Sequence, residues 1–111
     1  MSAIRASQLI VQGEPVRTLI KSVFEKDVPL LVEVGSSGLD GDDDHESLGR
    51  TYVGLLCDSP VTFFDPLRDK RGKIVGVEIS GCGDSALSVL AEALEFAARV
   101  LKDIRNESTF D

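Results

Sequence analysis

Tryptophan is absent from this chain of 111 residues, and tyrosine, histidine and methionine occur once each. With one histidine, any zinc site would have to combine His45 with Cys57, Cys82 and scattered carboxylates, outside the spacings that hold zinc. The two cysteines form no disulfide framework: Cys57 lies in an apolar run and Cys82 between two glycines, so reduced thiols are expected. Long apolar runs are missing too. Residues 28–34 and 52–57 are the longest, far short of the roughly 20 residues that cross a bilayer. Cationic side chains are scarce, 12 against 19 acidic ones, and the resulting net charge of −7 works against nucleic-acid and anionic-membrane partners, both polyanions. No serine sits in a nucleophile-elbow glycine pattern, and the helix start near Gly81 and Gly83 lacks the lysine and spacing of a phosphate loop. These absences argue against an enzyme. Residues 1–12 hold no apolar core followed by a small-residue cleavage site, which makes the cytoplasm the expected location.

The length suits one domain spanning residues 1–111, and a content of 42% hydrophobic and 28% charged residues is that of a folding globular chain. Leu9, Ile10 and Val11 mark a first strand within residues 4–11, although the mixed pattern also tolerates a short helix. Pro15, followed by Val16, Leu19, Ile20, Val23 and Phe24 at helical spacing, predicts a helix from Glu14 that Asp27 and Pro29 end. Residues 28–34 read as a strand with Leu30, Val32 and Val34 on one face and Leu31 and Glu33 on the other. Residues 51–57 and 61–64 read as two short strands pairing across the Asp58-Ser59-Pro60 turn, and residues 74–79 as another.

A long carboxy-terminal helix, capped by Asp84 or Ser85 and running to about Arg105, is the clearest element. Its polar strip is narrow: Ser88, Glu92, Glu95, Arg99 and Lys102. So wide an apolar arc exceeds what one sheet face needs, and self-association into a homo-oligomer, most simply a homodimer, would cover the excess; the amino-terminal helix and loops are the alternative cover. The expected fold is α+β: a two-layer sandwich of an antiparallel sheet of 4–5 strands, an amino-terminal helix and a long carboxy-terminal helix.

The strongest compositional break is acidic. Asp40, Asp42, Asp43, Asp44 and Glu46 place five carboxylates within seven residues, with Gly38 and Gly41 supplying backbone freedom and no Lys or Arg until Arg50. Two carboxylates about 6 Å apart in water repel by roughly 0.7 kcal/mol, and a hard divalent cation would relieve several such pairs at once. Asp40, Asp42 and Asp44 at alternate positions resemble the first ligands of a calcium loop, but the sixth position is His45 and the twelfth Thr51, where an EF-hand needs glycine and glutamate. Calcium held by a non-EF-hand loop over residues 38–46, completed by an acid such as Glu33, Asp58 or Asp65, is the first functional expectation. The second is an acidic protein-interaction module, of the kind found in immunity proteins, inhibitors and chaperones, meeting a basic partner surface. Arg68, Asp69, Lys70 and Arg71 form a local basic patch suited to the acidic loop of a second subunit.

Overall fold

The computed structural model describes residues 4–25, 28–37, 49–59 and 62–109. Strand β1 (Ile4–Val11) turns through Gln12 and Gly13 into β2 (Glu14–Glu25), the two turn residues having φ of 49° and 84°. Consecutive left-handed residues give a two-residue turn whose twist matches that of the flanking strands, which fixes the antiparallel register from Val11↔Glu14 to Ile4↔Lys21. Strand β3 (Val28–Ser36) pairs with β2, and β4 (Thr51–Leu56) with β3, giving a meander in the order β1-β2-β3-β4.

The helix expected from Glu14 to the Asp27 and Pro29 stop is instead this 12-residue second strand, and among the described residues no amino-terminal helix exists. Val16, Thr18 and Ile20 alternate along β2 and are buried, while Val23 is buried on the opposite face. A strand apolar on both faces mimics helical spacing. Its β-branched residues, stiff about χ1, favour the extended backbone. Pro15 lies where β3 does not reach, because β2–β3 pairing begins at Thr18. At that first rung the two strands approach so closely that a Cβ on Gly35 would collide with the backbone of Arg17 and Thr18.

Helix α1 (Gly83–Thr109), about 40 Å long at 1.5 Å per residue, packs across β3 and β2. Val89, Ala93, Phe96 and Ala97 meet Val23, Val28, Leu30, Val32 and Val34 in the core. Alanines at 93 and 97 let the helix lie close to the sheet. Lys21 crosses this layer with its stem buried, its Nζ 3.4 Å from a Glu92 carboxylate oxygen and 5.2 Å from the centre of the Phe96 ring. The wide apolar arc is only partly used: Leu87 and Leu94, one heptad apart, remain 70% and 53% exposed.

Strands β5 (Thr62–Arg68) and β6 (Ile74–Gly81) form a separate two-stranded ribbon. Among the described residues the pairing expected between residues 51–57 and 61–64 is therefore absent: β4 ends the main sheet, and β5 pairs with β6 from Thr62↔Gly81 to Arg68↔Ile74. The register skips Val75, a bulge near the tip. The tip is tightly tied. The Asp69 carboxylate accepts the backbone N–H of Arg71 at 2.8 Å and of Lys73 at 3.0 Å, the Asp69 N–H donates to the Lys73 carbonyl at 2.9 Å, and Gly72 supplies a φ of 86°. Beyond their mutual pairing, β5 and β6 pack little on other elements. The radius of gyration, 15.9 Å, accordingly exceeds the roughly 13 Å of a compact domain near this length. The fold is α+β as expected, but with its sheet divided in two.

Candidate interaction surfaces

The expected calcium ligands Asp40, Asp42, Asp43, Asp44 and Glu46 lie outside the described residues. Of the acids named to complete their shell, Glu33 accepts a 2.6 Å hydrogen bond from the Thr18 hydroxyl, Asp58 is exposed just after β4, and Asp65 stands opposite Glu78 in the ribbon. Among the described residues, no three His, Cys, Asp or Glu side chains converge in a way that could hold a metal ion. Cys57 and Cys82 are free thiols, as expected; the Cys57 thiol donates to the Pro29 carbonyl at 2.9 Å, and Cys82 is exposed. Also among the described residues, no helix is long and apolar enough to cross a membrane.

What the fold does bring together is apolar surface. Cross-strand partners share a face of an antiparallel sheet. Val23↔Leu30 and Leu19↔Val34 therefore define the side under α1, and Phe24↔Pro29 and Leu31↔Leu56 the side turned away from it. On that far side Phe24 is 58% and Leu56 67% exposed, and together with Pro29 and Leu31 they line a shallow depression of about 210 Å³ with Asp58 at its margin. Glu33 shares the face, two residues along β3 from Leu31. The result is an apolar centre with a carboxylate margin. The face assigned to Leu31 and Glu33 from the period-2 pattern is the face they occupy. Helical spacing puts Phe24 on a stripe and a hairpin over residues 51–64 would cover Leu56, so neither reads as exposed; the usable signal is that neither has an apolar partner at i+2.

On the helix side, α1 leaves β1 and the start of β2 uncovered. A groove of about 800 Å³ runs there between Ala6 and Leu19 on the sheet and Val100, Asp103, Ile104 and Glu107 on the helix. Arg17 also reaches it.

The ribbon is the third uncovered surface. Phe63, Phe64, Leu67, Ile74, Val75 and Val77 are between 36% and 63% exposed. Register places Phe64, Pro66, Val77 and Ile79 on one face, an uninterrupted apolar stripe, while Asp65 and Glu78 oppose each other on the other. Two like charges directly opposite weaken a strand pair, and an isolated two-stranded ribbon is marginal in water.

No protein-family model matches this chain, and no curated protein and no solved structure matches it.

Proposed function

We propose that this chain is an acidic protein-interaction module that docks a partner rather than transforming a substrate. One observation carries the reading: the far side of the sheet presents Phe24, Leu31 and Leu56 around a shallow depression, with carboxylates of Asp58 and Glu33 beside it. Isolated exposed hydrophobic residues mean little, whereas a contiguous patch with a polar margin is the arrangement of a docking face. The apolar centre supplies affinity by losing water. Carboxylates on a chain of net charge −7 steer a basic partner toward it and fix its orientation.

The test is capture of basic partner proteins by the wild-type chain and by Phe24→Asp/Leu56→Asp. Loss of the captured species with the fold intact, together with weaker capture at a few hundred millimolar salt, supports the reading. Equal capture by both chains removes this face from it.

A second reading rests on sequence spacing: five carboxylates in seven positions around Gly41 suit calcium, with Asp40, Asp42, Asp43, Asp44 and Glu46 as ligands. Calorimetric titration decides it. Micromolar binding that Asp42→Asn/Asp44→Asn weakens at least tenfold supports a site there, and silence at millimolar calcium ends the idea.

A further inference from the structure

The chain carries two unfilled features of opposite shape. One is the projecting ribbon, apolar along Phe64, Val77 and Ile79 and basic at its tip; the other is the groove between β1, β2 and the last turns of α1, apolar at Leu19, Val100 and Ile104 and bearing two acids, Asp103 and Glu107, against one cation, Arg17. We propose that they fill each other between two copies of this chain, each ribbon seating in its partner's groove across a two-fold axis.

Three observations select a second copy. The first is charge. Residues 68–73 hold four cations, Arg68, Lys70, Arg71 and Lys73, against Asp69, a net of +3, so the remainder of a chain that totals −7 carries −10. A basic tip on an acidic body is complementary to another molecule of the same kind, and reciprocal contact is what a two-fold interface requires.

The second is area. The six exposed ribbon side chains belong to residue types carrying roughly 150–200 Å² each, and at their fractional exposures they present on the order of 550 Å². Covering half of that in each of two symmetric contacts, with matching groove surface, removes on the order of 1,000 Å² from water, the lower bound of a specific interface.

The third is the ribbon itself. Its tip is fixed by the Asp69 hydrogen bonds while, among the described residues, its faces pack little on other elements, although two strands alone are marginal in water. A strand pair with a built turn and an apolar stripe is made to be covered. The groove lies on the opposite side of the sheet from Phe24 and Leu56, so this contact and the docking of a basic partner succeed or fail separately.

Sedimentation equilibrium of the full chain at about 100 µM, with circular dichroism as the control for folding, tests it. The expected mass is twice the 12.0 kDa of one chain. Val75→Asp/Val77→Asp should give a folded monomer. Asp103→Lys/Glu107→Lys should weaken association at least tenfold, and adding Lys70→Glu/Lys73→Glu, which leaves the Arg68 hydrogen bond to the Gly72 carbonyl in place, should restore it. A monomer at this concentration overturns the proposal. So does a dimer that survives the ribbon pair, or one indifferent to the groove pair. A dimer broken by Leu87→Asp/Leu94→Asp but not by the ribbon pair would place the interface on α1 and equally overturn it.

Discussion

The sheet-and-helix body and the β5–β6 ribbon draw on the same residue types, valine, isoleucine, phenylalanine and leucine, yet stand in opposite relation to water. In the body, Val32, Val34 and Val89 are at most 1% exposed, whereas in the ribbon Val75 and Val77 are 62% and 63% exposed. The difference lies in the neighbours each strand acquires. Each of β2, β3 and β4 pairs with the strand before it, and α1 closes one side of their sheet; among the described residues β5 pairs with β6 alone. An apolar side chain stabilises a fold by about 25 cal/mol for each Å² it loses to the interior, so the ribbon's residues add little to the stability of the single chain. Their contribution becomes available on contact with something else.

Substitutions in the two regions should separate accordingly. Phe96→Ala empties the space between α1 and the sheet and also removes the ring beneath Lys21; urea unfolding should show a loss of about 3–5 kcal/mol. Gly35→Ala forces a methyl against the β2 backbone at the closest approach of the two strands, with an expected cost of about 1–3 kcal/mol by the same measurement. Thr18→Val removes the donor that Glu33 accepts from a nearly buried hydroxyl, and about 1–2 kcal/mol should be lost. Lys21→Met keeps the buried stem but deletes the charge facing Glu92 and Phe96; its effect should stay near 0.5–1 kcal/mol and shrink as salt is added. Val77→Ala closes the series: in dilute, monomeric protein it should change stability by less than about 0.5 kcal/mol, and a loss comparable to that of Phe96→Ala would show that the ribbon is packed against the body after all.

The body is more legible in the sequence than the ribbon, for physical reasons. Residues 28–34 and the long helix follow single periods, 2.0 and 3.6, because each buries one face; both appear close to where those periods put them. β2 does not follow one period. It buries Val16, Thr18 and Ile20 on one side and Val23 on the other, and that double demand reads as a helix unless the Gln12-Gly13 turn is weighed as a hairpin signal. The partner of residues 62–68 is ambiguous in sequence because local turn chemistry favours both Asp58-Ser59-Pro60 and Asp69–Lys73. The second prevails with an ordered set of hydrogen bonds from the Asp69 carboxylate. The exposed patch of Phe24 and Leu56 is illegible, since a sequence records which residues are apolar and not which are left uncovered. The acidic run over residues 40–46 is plain in the sequence and lies outside the described residues.

The place of α1 in the chain has a consequence for biosynthesis. The stripe of Val28, Leu30, Val32 and Val34 is complete roughly 60 residues before Ala97, the last buried contact on the helix, leaves the ribosome. At about 5–20 residues per second the nascent sheet would stay wet on that side for several seconds. Ribosome-bound chains halted before residue 83 should therefore bind more of a dye for exposed apolar surface than the released, folded chain does.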